Sequence, residues 1–194
     1  MAAMKMCRRP WHKEILWAIQ EGVTVLGGAS LGALRAFECA PFGMIGVGEV
    51  FRRYASGELV DDSDVAQSHG PAELGCIPVT DAFVNVEATL RNAEREGSID
   101  AASAEALIVE ARAIFFKELT LDALARHFEA DPAKAELLCA TLASHYVDIK
   151  RQDALELLTR LAALPDERIV SRRDWALTSP TVWRQFLESL RAGP

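Results

Sequence analysis

The sequence contains no hydrophobic run long enough to cross a bilayer. Its longest stretch without a charged residue is residues 22–34, thirteen residues, whereas a membrane-spanning helix needs about 20 apolar residues. The N-terminal residues include Lys5, Arg8 and Arg9 and continue into Trp-His-Lys-Glu with no apolar segment between. We therefore expect neither a membrane protein nor a secretory signal peptide.

Paired cysteines and an excess of basic residues are also missing. The four cysteines are scattered, with no C-x-x-C pair, which is typical of reduced thiols in a cytoplasmic protein. Lys and Arg number 21 against 28 Asp and Glu, a net charge of −7. Because nucleic-acid-binding proteins usually present a basic surface, no nucleic-acid partner is expected.

The common signatures of metal and nucleotide binding are absent from the sequence as well. There is no H-E-x-x-H, and the acidic run at 61–64 is not an EF-hand, since Ala66 stands where that loop needs glycine. There is no P-loop, and Gly43, Gly46 and Gly48 have the wrong order for a dinucleotide fingerprint. We therefore expect no metal and no cofactor.

Hydrophobic spacing divides the chain into two parts. An amphipathic pattern predicts a helix over 10–21, and the β-branched run at 23–26 predicts a buried strand of a parallel sheet. Beyond residue 97 helix-start signals recur and no strand pattern is visible. The sequence thus predicts an α/β core at 1–97 with a small parallel sheet, followed by an all-helical region at 98–194.

Three shorter segments carry weaker signals. Residues 42–48 are glycine-rich and apolar and predict a loop that leads into a helix. Residues 65–69 predict a short strand after the acidic turn, and Ser179-Pro180 predicts the start of a last helix over 181–191.

Residues 28–32 match G-x-S-x-G in a strand–turn–helix setting. In that setting we expect Ser30 to adopt a strained backbone conformation, with its hydroxyl above the sheet edge and the N–H groups of the next helix ready to stabilise an oxyanion. Gly28, Leu31 and Gly32 would then line the substrate site. The alternative is a structural turn in which Ser30 only caps the helix.

A serine nucleophile needs a base, and two histidines are candidates. His69 follows the acidic run that contains Asp62, which gives the order Ser, Asp, His found in α/β-hydrolases. His12 lies in the first turn of the helix that leads to the strand before Ser30. The acidic run is equally compatible with a solvated turn.

Arg35 lies one turn into the helix after the serine. A guanidinium there would bind a carboxylate or thiocarboxylate in a bidentate manner. The alternative is an ordinary helix-surface arginine that pairs with Glu38, three residues on.

Three segments together resemble the TfuA-like family. They are WHKEILWA at 11–18, GASLGALRA at 28–36, and FGMIGVG at 42–48, the last followed by the acidic stretch that ends in His69. Family members carry corresponding WHKEIL, GASxGALRA and FGMxGVG segments in this order. The similarity covers roughly residues 10–92.

The resemblance implies a role beside a YcaO enzyme in making ribosomally synthesised, modified peptides, antibiotics among them. TfuA-like proteins support the conversion of backbone amides to thioamides. They are associated with hydrolysis of the thiocarboxylate on a ubiquitin-like sulfur carrier, which releases sulfide. The implied partners are the YcaO enzyme, the carrier and a precursor peptide, and the ATP of the pathway belongs to YcaO.

With this resemblance, residue chemistry and family role converge on acyl transfer. We expect Ser30 to attack the thiocarboxylate, His69 or His12 to move the proton, Asp62 to supply the acidic member, and Arg35 to bind the carrier's C terminus. A scaffold that recruits the carrier or the peptide to YcaO is the main alternative, and an unrelated serine esterase is a third.

The start of the chain departs from the family pattern. Members normally have an additional strand and a Gly-rich, Asp-containing segment before the Trp-His-Lys-Glu helix, whereas only ten residues precede it here. The sequence therefore indicates a short form or a truncated start. The missing strand would neighbour the one near Val23, so we expect an apolar sheet edge there, covered by the helical half or by a partner.

Overall fold

The computed structural model describes residues 11–168, 175–178, 181, 183–185 and 188. Residues 11–168 form eight α-helices and two short β-strands. In chain order they are α1 His12–Gln20, β1 Leu26–Gly28, α2 Leu31–Cys39, β2 Ile45–Val47, α3 Glu49–Ser56, α4 Phe83–Arg95, α5 Ala101–Ala113, α6 Leu121–Phe128, α7 Pro132–Ser144 and α8 Ile149–Ala162. The helix predicted over 181–191 lies largely outside the described residues.

The two strands pair in parallel, with Leu26 opposite Ile45 and Gly28 opposite Val47. They are connected through α2, as a parallel pair requires. The small parallel sheet, with a helical region after it, confirms the predicted α/β fold.

The strand bounds differ from the prediction, and glycine packing explains the difference. β1 lies three residues later than predicted because Gly27 and Gly28 belong to the strand and not to the turn. A side chain at Gly27 would collide with the carbonyl oxygen of Gly32 on α2. β2 was predicted as loop, but its Gly46 lies against the Phe51 ring and pairs in the sheet.

The helices of the second half begin at side-chain caps. Asp100, Thr120 and Asp131 each accept a hydrogen bond from a backbone N–H in the first turn of their helix. Asp148 caps α8 in the same way by accepting from the N–H of Arg151. No described helix has the length and apolar character needed to span a membrane.

Helix α4 lies between two hydrophobic clusters. Its Val84 packs in the cluster of α2 and α3, whereas Val86 and Leu90 pack with α5 to α7. Helix α8 then returns to the sheet and contacts β1, α3 and α4. Helix α8 therefore lies beside the ends of the strands, where α/β proteins usually have their ligand-binding sites.

Candidate functional site

The turn after β1 is sharp, as the motif predicts, but the conformation is adopted by a different residue. Ala29 has a φ of +67°, and the N–H of Ser30 donates to the carbonyl of Gly28 across it at 2.8 Å. This is the pattern of a γ-turn with a positive central φ, which is rare and strained. Ser30 itself has a φ of −147°, so the strain expected at the serine belongs to Ala29.

Ser30 lies at the N-terminus of α2 with its hydroxyl partly buried. Its Oγ donates to the carbonyl oxygen of Val65 at 3.3 Å, a long contact for a hydroxyl donor. Within residues 11–168, the N–H groups of Leu31 and Gly32 have no side-chain cap and no backbone acceptor. Two N–H donors at a helix N-terminus beside a serine can stabilise an oxyanion.

Lys150 shares the carbonyl that Ser30 contacts. Its Nζ donates to Val65 O at 2.9 Å and to Gln67 Oε1 at 3.1 Å. Burial lowers the pKa of this lysine, and the charge of Asp148 only partly opposes the effect. The Ser30 hydroxyl and the Lys150 amine therefore contact one carbonyl oxygen, and the described contacts include no direct hydrogen bond between the two side chains. Serine and lysine are a known nucleophile–base combination.

Lys150 belongs to no motif that the sequence reveals, because it lies in α8, far from the serine along the chain. One signal was available. The chain has only five lysines, and Lys150 occupies the first turn of its helix, where the helix dipole disfavours a cation. A lysine in that position calls for an explanation other than helix stability.

His12 and Arg35 meet on the surface between α1 and α2. The Nε2 atom of His12 lies 2.7 Å from Glu38 Oε2 and 3.2 Å from Arg35 Nη1, and Arg35 also pairs with Glu38. Although burial raises the pKa of Glu38, the hydrogen bonds from Arg35 and His12 lower it below its ordinary value. The described contacts of His12 do not include Ser30.

Asp62 and His69 lie on the loop that follows α3. Asp62 is exposed at the start of a 3₁₀ turn that ends at Val65. His69 is also exposed and forms an isolated backbone bridge with Pro78 in place of the predicted strand. Neither side chain hydrogen-bonds to Ser30 among the described contacts.

The acidic turn is held in place by its own residues and presents the Val65 carbonyl. Asp61 and Asp64 cap the turn reciprocally, and the hydroxyl of Tyr54 donates to the carbonyl of Asp61 at 2.7 Å. Asp64 is buried and pairs with Arg112 at 3.2 Å. Among the described residues, no three His, Cys, Asp or Glu side chains come together as metal ligands would.

The protein has an α/β fold and carries Ser30 on a strand–turn–helix unit. The family model of the TfuA-like proteins matches residues 4–120, so the chain belongs to this family and the resemblance found in the sequence is confirmed. Membership supports a role in YcaO-associated thioamide biosynthesis. A search of curated proteins finds no match.

Proposed function

We propose that this protein hydrolyses the C-terminal thiocarboxylate of a small ubiquitin-like sulfur-carrier protein and releases sulfide for a YcaO partner. Ser30 is the nucleophile and Lys150 is the base. The observation that supports this proposal is the convergence of Ser30 Oγ and Lys150 Nζ on the carbonyl oxygen of Val65.

The reaction begins with attack of Ser30 Oγ on the thiocarboxylate carbon. The hydroxyl proton passes to the neutral amine of Lys150, and the N–H groups of Leu31 and Gly32 stabilise the negative oxygen of the tetrahedral intermediate. The C–S bond then breaks, and the proton held by Lys150 goes to the departing sulfur, which leaves as hydrosulfide. The carrier remains as an ester on Ser30.

Water completes the cycle. Lys150 accepts a proton from the water that attacks the ester and returns it to Ser30 Oγ as the C–O bond breaks, which restores the serine hydroxyl and the neutral amine. The carrier leaves as a carboxylic acid, which loses its proton to water and becomes a carboxylate. Both steps need Lys150 in its neutral form. Burial lowers the pKa of this lysine and so increases the neutral fraction near neutral pH.

Arg35 is our candidate for binding the carrier's C-terminal residues. It lies on the helix that begins after Ser30, and its guanidinium is held in one orientation by Glu38. Because Glu38 also contacts His12, this histidine belongs to the same surface. In this proposal His12 and His69 are not bases, although the order of residues along the chain makes both candidates.

The test is sulfide release from a thiocarboxylated carrier by the purified protein in the absence of YcaO. Ser30→Ala and Lys150→Met are expected to lower the rate by about 10²–10⁴-fold, the usual effect of losing a nucleophile or its base. Lys134→Met, at an exposed position on α7, is the matched control and should retain the wild-type rate.

Two outcomes would contradict the mechanism. Full activity of Lys150→Met together with inactivity of His69→Ala or His12→Ala would return the role of base to a histidine. A wild-type protein that releases no sulfide yet increases thioamidation by YcaO would show that the scaffold alternative is correct. A chromogenic ester assayed in parallel tests the third hypothesis, that the protein is an unrelated serine esterase.

A further inference from the structure

Helix α4 carries a stripe of three polar residues, two buried and one half-buried, against the segment that leads into α8. Asn85, Thr89 and Asn92 are spaced about one turn apart along α4. Thr89 Oγ1 accepts from the N–H of Val147 at 3.0 Å, and Asn92 Nδ2 donates to the carbonyl of His145 at 3.0 Å. Buried polar groups of this kind fix one arrangement of the chain because each would otherwise be unsatisfied.

Asn85 makes the contacts closest to Lys150 and is only 2% exposed. Its Oδ1 accepts from the backbone N–H of Lys150 at 3.3 Å. Its Nδ2 donates to Asp148 Oδ1 at 3.0 Å and lies 3.2 Å from the hydroxyl oxygen of Tyr146. One amide therefore contacts Lys150 and two residues that precede it.

Asp148 is the N-cap of α8 and accepts from the N–H of Arg151 at 2.9 Å. Asn85 therefore holds both the cap and the second residue of the helix, which sets where the helix starts and how it is rotated. The position of the Lys150 side chain follows from that rotation. Tyr146 extends the network by donating to Asp81 Oδ1 at 3.3 Å.

We propose that Asn85 is a positioning residue that sets the start of α8 and thereby holds the amine of Lys150 at the oxygen it shares with Ser30. This inference rests on the proposed function for its catalytic meaning. The contacts that support it are independent of the reaction.

The experiment compares Asn85→Ala with Asn92→Ala, which removes a hydrogen bond at the far end of the same stripe. For Asn85→Ala we expect kcat for sulfide release to fall by about 10- to 100-fold with KM nearly unchanged, since a misplacement of about 1 Å can cost 10²-fold. Asn92→Ala should keep kcat near the wild-type value. An equal fall in both variants would overturn the proposal.

A second measurement needs no substrate. With only five lysines in the chain, selective ¹³Cε labelling gives few NMR signals, and the signal missing in Lys150→Met identifies Lys150. Asn85→Ala should shift the Lys150 signal and leave the others in place. An unchanged Lys150 signal would overturn the positioning role.

The two measurements separate failure of this inference from failure of the proposed function. If the Lys150 signal shifts in Asn85→Ala but the wild-type protein releases no sulfide, the proposed reaction is refuted and the positioning role is kept. If the signal does not shift but the wild-type protein releases sulfide, the positioning role is refuted and the proposed reaction is kept. If Asn85→Ala does not fold, Asn85→Ser removes the amide donor to Asp148 while it keeps a polar side chain and adds no charge at this buried position, and the same expectations apply.

Discussion

The two glycines of the G-x-S-x-G turn should respond in opposite ways to the same substitution. A Cβ atom on Gly28 would lie 2.6 Å from the carbonyl oxygen of Val47 and 3.3 Å from Leu157 Cδ1. A Cβ atom on Gly32 would have its nearest neighbour, Gly27 Cα, at 3.8 Å, which is ordinary van der Waals contact. Gly28→Ala therefore forces backbone apart, and Gly32→Ala does not.

The expected magnitudes follow from this geometry. Gly28→Ala must separate β1 from β2, and overpacking of this kind costs about 1–3 kcal/mol of the free energy of unfolding. Gly32 lies in the first turn of α2, where alanine is preferred over glycine by about 0.5–1 kcal/mol. The two variants should therefore differ by about 1.5–4 kcal/mol, with the wild type between them.

Urea unfolding measured by circular dichroism gives the free energy of unfolding and the m-value for each variant. Equal m-values with midpoints on opposite sides of the wild type are expected. A Gly32→Ala variant as unstable as Gly28→Ala would refute the reasoning, since nothing within 3.8 Å of that Cβ would account for it. A stable Gly32→Ala variant that releases no sulfide would place the substrate against this residue.

Two further substitutions test the buried charges. Arg53 is 7% exposed and pairs with Glu58 and Glu87. Arg53→Met leaves Glu87, whose side chain is only 14% exposed, without this partner and should cost about 3–5 kcal/mol in urea unfolding, against at most about 1 kcal/mol for the exposed control Arg52→Met. Lys150→Met should stabilise the protein at neutral pH. Burial lowers the pKa of Lys150 below its ordinary value of 10.5, so a charged lysine is less favourable in the folded protein than in the unfolded chain. The free energy of unfolding of the wild type should rise as the pH increases from the lowered pKa of Lys150 towards 10.5, because the unfolded chain binds more protons over this range. The difference in stability between the wild type and Lys150→Met should therefore become smaller at alkaline pH. A difference that stays constant from neutral to alkaline pH in thermal unfolding would contradict the effect of burial.

The strand–turn–helix unit could be predicted because its signals are local. A β-branched run, glycines and a helical pattern follow one another within residues 23–39. The strained residue could not be assigned correctly, since the left-handed conformation falls on Ala29 and neither alanine nor serine favours it. β2 was missed because three residues with a central glycine carry almost no strand signal.

The site is less predictable than the fold because it depends on contacts between distant segments. The acceptor shared by Ser30 and Lys150 is a backbone carbonyl, that of Val65, which no residue type announces. The predicted base His69 follows Val65 closely along the chain, but its side chain is exposed on the loop. The division of the chain at residue 97 and the catalytic assignments stay predictions.

Helix α8 is the element through which the second half of the chain would take part in the proposed reaction. At successive turns it places Lys150 against Val65, Asp153 against the N–H groups of Glu49 and Val50 at 2.7 and 2.8 Å, and Leu157 beside Gly28. One helix thus contacts the segment after each strand. The family match ends at residue 120, whereas the base we propose lies beyond it. The region that matches the family includes Ser30 and its turn but not α8. The proposal of hydrolysis therefore depends on the position of α8 as well as on family membership.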